Sequence, residues 1–206
     1  MLPALVAMAL ATPAVAPDPA ALARSVQAYY DRTHDFEAGF VQTYSYAAFG
    51  RTQTSRGTLR VKKPGKLRWD YTEPAPKTIV VNGARLVQYE PEANQAYVDE
   101  HFDATAMSAA VTFLLGTGSL EKEFDLGTDG PGQLVLTPKA PDARVDRIVL
   151  TVAPSGEVSA TRVVDGSGNV NAITFRALRR NVGLSDRLFV LDLPEDVHRV
   201  KAPGGG

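Results

Sequence analysis

Three histidines, His34, His101 and His198, are the residues of this chain best suited to acid–base or metal chemistry. They stand far apart, in segments that read as loops or element ends, and none forms a His-x-x-x-His pair or similar metal-ligand spacing. The chain has no cysteine, which removes disulfides, thiol nucleophiles and thiolate metal sites together. No G-x-S-x-G elbow is present, and "GTGSL" and "DGSGN" read as Gly-Ser turns. "GTGSLEK" lacks the Gly-Lys-Ser/Thr ending of a phosphate-binding loop. "DGSGN" resembles the start of a calcium loop but lacks the closing bidentate Glu, so a hairpin turn is expected. The carboxylate pairs Glu121 with Glu123 and Glu195 with Asp196 read as solvated surface. The expectation is therefore no catalysis, no cofactor and no metal.

The remaining candidate is an apolar surface. From Gly57 to Pro91 the sequence alternates polar residues with Leu59, Val61, Leu67, Trp69, Tyr71, Ile79, Val81, Leu86 and Tyr89. A period of two places Leu67, Trp69 and Tyr71 on one face of a strand and Arg68 and Asp70 on the other. Trp69 is the only tryptophan of the chain. Phe40, in an earlier alternating stretch, belongs to the same set. Two uses of this face remain open from patterning alone. It packs under helices as plain core, against Leu22, Val26, Met107 and Leu114. Alternatively, sheet and helices enclose an unfilled apolar cavity, with Met107, Val111, Leu114 and Leu115 as an adaptable lid wall.

The elements that must position these residues follow from the same reading. The first 17 residues are an Ala/Pro-rich apolar run ending near Ala14-Val15-Ala16, read as a signal peptide or a disordered leader. A helix is expected over "DPAALARSVQAYYDRT", with Asp18 as N-cap, Pro19 in the first turn, and Leu22, Val26, Tyr29 and Tyr30 on one face. A strand follows from Phe36. Arg51 to Arg56 is expected to be a loop. Strands are expected at 57–62, 66–72, 77–82, 85–89 and 95–99. They are joined at Pro64-Gly65, which suits a type II turn, and at Asn82-Gly83, a hairpin signal. Asp103 opens a helix that places Met107, Val111, Leu114 and Leu115 on one face, and Ser119 starts a short helical turn. Five more strands are read at "QLVLTP", "VDRIVLTVAP", "EVSATRVVDG", "NVNAITFRALR" and "RLFVLDLP". The sum is a mainly β fold of about eleven antiparallel strands with a few short helices, which curls into an open or closed barrel. Residues 18–200 form a single domain in this reading, and 201–206 a disordered tail. The 206 residues, net charge of −1 and scattered basic residues argue against nucleic acid as a partner.

The quoted strands carry a family resemblance. Phe40-Val41-Gln42 stands in the first strand. Then come a Gly-x-Leu strand from Gly57, a basic-Pro-Gly turn at Lys63-Pro64-Gly65, and Arg68-Trp69-Asp70-Tyr71 with a following Pro. "NGARLVQYEP" and, later, "LVLTPKA" complete the order. This pattern resembles the outer-membrane lipoprotein carrier family of LolA/LolB type. With no cysteine for a lipid anchor, the chain is most similar to the soluble periplasmic members. The resemblance implies an incomplete, half-open antiparallel barrel, lidded by helices around an apolar cavity. It implies a periplasmic monomer that takes acylated lipoproteins from an inner-membrane ABC transporter and delivers them to an outer-membrane acceptor. It also implies a cavity lined by Phe40, Leu59, Val61, Leu67, Trp69, Tyr71, Ile79, Val81, Met107, Val111, Leu114 and Leu115. The turn residues Lys63 and Pro64 lie at the lid. The family's lid-locking Arg is here Lys63, a point charge without a planar fork. Two other readings stand beside the carrier. One is a sensor domain of the same half-barrel type that reads lipid or lipoprotein; the other is an envelope enzyme, which would need polar residues inside the cavity.

Overall fold

The computed structural model describes residues 18–103, 119–141 and 144–201. Helix α1 spans Pro19–Asp31. The Asp18 carboxylate accepts from the Ala20 amide at 2.9 Å, and Pro19 fills the first turn, where no amide donor is needed. Ala23, Val26, Tyr29 and Tyr30 are buried along one face, as the helical spacing requires. The short helix α2, Leu120–Glu123, begins after Ser119 as expected.

The strands are β1 (Asp35–Tyr46), β2 (Arg51–Lys62), β3 (Lys66–Glu73), β4 (Lys77–Asn82), β5 (Arg85–Glu90) and β6 (Gln95–Asp99), then β7 (Phe124–Thr128), β8 (Gln133–Pro138), β9 (Arg147–Val152), β10 (Val158–Val164), β11 (Val170–Arg180) and β12 (His198–Lys201). They form one sheet in the order β12-β6-β5-β4-β3-β2-β1-β11-β10-β9-β8-β7. Consecutive strands therefore pair as hairpins on both sides of the β1–β11 ladder, which joins the two halves. The end strands β7 and β12 do not pair with each other, so the sheet is a barrel left open.

The fold is mainly β as expected, with twelve strands where the sequence reads as about eleven, and four finer expectations need correction. It is not wholly antiparallel, because β12 runs parallel to β6. Arg51 to Arg56 is not a loop: it pairs residue for residue with Val41–Tyr46 and opens β2. "RLFVLDLP" is not a strand; Asp186–Phe189 is a 3-10 turn, and irregular backbone follows it to β12. Lys201, placed in the tail from sequence, closes β12. Residues 1–17 and the expected helix carrying Met107, Val111, Leu114 and Leu115 lie outside the described residues.

The main core sits on the concave face. It joins α1 to Phe36, Phe40, Leu59, Val61, Leu67 and Val81 from one half of the sheet, and to Leu134, Leu136, Ile148 and Leu150 from the other. Each such side chain contributes about 1.5–3 kcal/mol on full burial. The turn between β9 and β10 presses against α1: a Cβ on Gly156 would lie 2.2 Å from the Ser25 carbonyl oxygen, and its φ is +89°. Tyr29 donates to the Glu157 carboxylate there at 2.7 Å.

The convex face of β3–β6 has its own cover. Residues 182–197 cross it as a strap. Its Phe189 and Val197 are buried, as are Val80, Val87 and Ala96 of β4–β6. The strap starts where the Asp35 carboxylate accepts from the amides of Val182, Gly183 and Leu184 at 2.7–3.1 Å. It is held further along by Lys62 and Lys66, which both pair with Asp186, and by Arg68 Nη1, which donates to the Leu188 carbonyl.

Candidate lipid-binding concavity

Strand register arranges the concave residues of β1–β5 in three rungs. The deepest runs Phe36, Val61, Leu67, Val81, Leu86. The second runs Ala38, Leu59, Trp69, Ile79, Gln88. The third runs Phe40, Gly57, Tyr71, Lys77. Eight of the expected lining residues, Phe40, Leu59, Val61, Leu67, Trp69, Tyr71, Ile79 and Val81, are thus brought onto one face of adjacent strands. Arg68 stands on the opposite, convex face with Arg60 and Asp70, as alternation requires.

Burial is uneven over this face: Leu86 of the deepest rung is only partly buried, whereas Phe40 of the third is covered. Val61, Leu67 and Val81 of the deepest rung are fully buried, and so are Leu59 and Phe40. Trp69, Tyr71 and Ile79 are only partly buried. Phe40 meets Trp69 and Tyr71 edge to face, with centroids 5.5 and 5.1 Å away, and the Trp69 and Tyr71 rings lie parallel at 6.0 Å. Gly57 makes room for this cluster, since any side chain there would strike the Phe40 ring. The Trp69 indole N–H is buried and has no hydrogen-bond partner among the described residues.

Polarity rises above the third rung. Tyr71 donates its hydroxyl to Gln42 Oε1 at 3.0 Å, and Gln42 donates to Asn171 Oδ1 at 2.9 Å. Burial pushes the Tyr71 hydroxyl up to about 12. Lys77 places its ammonium 4.5 Å from the Tyr71 ring centroid. A cleft of about 280 Å³ opens here, lined by Gln53, Ser55, Tyr71, Glu73, Lys77 and Glu90 among others. Its polar members were not singled out from sequence: Gln53 and Ser55 fall in the stretch read as a loop.

Lys63 turns inward to α1. Its ammonium donates to the Tyr30 carbonyl at 2.7 Å, a favourable place for a cation at a helix C-terminus. Burial pushes Lys63 below the usual lysine range, and Asp31 partly offsets this. Pro64 and Gly65 turn the chain between β2 and β3, and Gly65 has φ +65°. Among the described residues no group of three or more His, Asp or Glu is placed to hold a metal ion. The "DGSGN" turn closes on itself, its Asp165 carboxylate accepting from the Ser167 and Asn169 amides. No helix among the described residues is long and apolar enough to cross a membrane.

Known proteins resemble this sequence. Residues 31–192 match the family described as outer membrane lipoprotein carrier protein LolA. An outer-membrane lipoprotein carrier protein from Methylobacillus flagellatus is 30% identical over 174 residues, covering 82% of this chain and 84% of the relative. One from Alkalilimnicola ehrlichii is 28% identical, covering 96% of this chain and 92% of that protein. Among solved structures, an uncharacterized conserved protein from Thermus thermophilus aligns with a TM-score of 0.55 at 12% identity. It covers 89% of this chain and 98% of its own, a likeness of fold alone.

Proposed function

The chain belongs to the LolA family of outer-membrane lipoprotein carriers, and from that membership we propose that it carries lipoproteins through the periplasm. The concave rungs hold the acyl chains of a lipoprotein released from the inner membrane, and the protein delivers it to the outer membrane. An inner-membrane ABC transporter loads it and an outer-membrane acceptor unloads it. The chain makes and breaks no bond in this role.

The observation that supports this reading is the uneven burial along one apolar face. A closed core would bury Trp69, Tyr71 and Ile79 as fully as it buries Leu59 and Val81. Three large apolar side chains left partly exposed, one with an indole N–H that has no partner among the described residues, suit a wall that a ligand completes. Burying acyl chain gains about 0.8 kcal/mol per CH₂, so a wide-open apolar cavity would hold cargo too tightly to release it. A carrier needs a wall that competes with cargo. Met107, Val111, Leu114 and Leu115 are assigned that role, and Lys63 with Pro64 the turn beside it.

Native mass spectrometry tests the proposal. The protein is produced in a periplasm with an extracting transporter and purified without detergent. One acylated lipoprotein per chain is the expected result. An empty protein, or one holding only free lipid, would sink the carrier role and favour a sensor of lipid in its place.

A further inference from the structure

The cleft at the rim of the concavity is not accounted for by acyl-chain binding. Its walls include Gln53 and Ser55 of β2, Tyr71 of β3, Lys77 of β4, Glu90 of β5, and Glu92 just beyond. It adjoins the third rung, just past the register shift of the β2–β3 ladder at Arg56–Gly57. Gln53 and Ser55 alternate onward from Gly57 on the same face of β2, and Lys77 stands directly across from Tyr71. Tyr71 therefore belongs to both regions: its ring stacks on Trp69 below, and the same side chain lines the cleft. An amphiphile whose chains lie on the rungs can send its polar end past this point.

The cleft has a definite chemistry. At about 280 Å³ it falls at the small end of ligand sites, which run from about 300 to 1,000 Å³, so it fits a short segment. Its Gln53 and Ser55 side chains offer both donors and acceptors, as an extended peptide backbone requires. Three carboxylates, Glu73, Glu90 and Glu92, line it against one ammonium, Lys77. Glu73 is paired with Arg56, which leaves Glu90 and Glu92 against the single ammonium of Lys77, held over the Tyr71 ring. Among the described residues, Glu90 receives a hydrogen bond only from the neutral Gln88 side chain at 2.8 Å, and Glu92 stands in the 3-10 turn that follows. The remaining field at the mouth is negative.

We propose that this cleft is a peptide subsite: it takes the first residues that follow the acylated cysteine of the cargo and prefers cationic segments to acidic ones. The inference rests on the carrier reading. The acyl chains supply affinity on the rungs, and the cleft sets the direction in which the cargo's polypeptide leaves. It also grades cargo by the charge next to the lipid, through Glu90 and Glu92.

Two synthetic lipopeptides test it, each a diacylglyceryl-modified cysteine followed by a fluorophore-labelled tail, Ser-Lys-Lys in one and Ser-Glu-Glu in the other. At low salt the Lys lipopeptide is expected to bind about five-fold tighter, the sum of two exposed charge pairs. The double variant Glu90→Gln with Glu92→Gln should remove that preference while binding both peptides, and about 0.5 M salt should shrink it in the native protein. Equal affinity for both lipopeptides at low salt, or a preference that survives in the double variant, would overturn the subsite. Failure of the native protein to bind either lipopeptide would instead bring down the carrier reading, and the subsite with it.

Discussion

Gly57 stands directly across from Phe40 in the β1–β2 ladder, and the Phe40 ring occupies the space that a side chain on Gly57 would need. A Cβ there would lie 2.9 Å from Phe40 Cε1 and 1.9 Å from the Asp70 carbonyl oxygen. The ring could swing aside, but the carbonyl belongs to the β2–β3 ladder and cannot move without breaking it. Gly57→Ala is therefore expected to destabilise the protein by about 2–3 kcal/mol, as overpacking against backbone does. A urea or guanidinium midpoint unchanged from the native protein would contradict this account of why the Gly-x-Leu pattern begins with glycine.

Trp69→Phe removes the buried indole N–H and keeps an aromatic ring beside Phe40 and Tyr71. If that N–H meets an ester carbonyl of the cargo, the native protein should prefer a diacyl lipopeptide to its dialkyl ether analogue, since an ether oxygen is the poorer acceptor. The expected preference is about two- to ten-fold, the net worth of one hydrogen bond. The variant should bind both alike. A preference retained by Trp69→Phe would place the carbonyl elsewhere.

Phe189→Ala probes the strap. Phe189 is 1% exposed, and it is buried with Val80 and Val87 on the convex face, away from the lipid-binding side. Its truncation should cost about 3–5 kcal/mol in unfolding experiments. Acyl-chain affinity of the folded fraction should stay unchanged. A loss of affinity in that fraction would mean that the two faces are coupled.

Asp186 gives the strap a pH dependence. Hydrogen bonds from Lys62 and Lys66 hold its carboxyl down at about 2, below its ordinary 3.8. A depressed carboxyl stabilises the fold above its unfolded value, and that contribution disappears as pH falls towards the folded value. The stability difference between native protein and Asp186→Asn should hold level at neutral pH, begin to close at about pH 5 and disappear only below the folded value of about 2. A difference that instead changes between about pH 5 and 8, where an ordinary carboxyl does not titrate, would assign it to another group.

The concave rungs are legible in the sequence because alternation is a local property. Leu59, Val61, Leu67, Trp69, Tyr71, Ile79 and Val81 each fall two residues from a like neighbour, and a pleated strand leaves them no face but one. The cap at Asp18 and the turns at Pro64-Gly65 and Gly83 were legible for the same reason. What tertiary structure decided is non-local. Arg51 to Arg56 carries no apolar alternation, and only pairing with Val41–Tyr46 extends β2 through it. "RLFVLDLP" reads as a short apolar strand, yet Phe189 is buried where its 3-10 turn packs on β3 and β4 and the segment becomes a strap, because covering the convex face outweighs a further ladder. The parallel pairing of β12 with β6 follows from where the strap ends. Residue types and their period determined which side chains face the concavity. How fully each is covered, which leaves Trp69 and Tyr71 available beside the cleft, was decided by contacts between residues far apart in the chain.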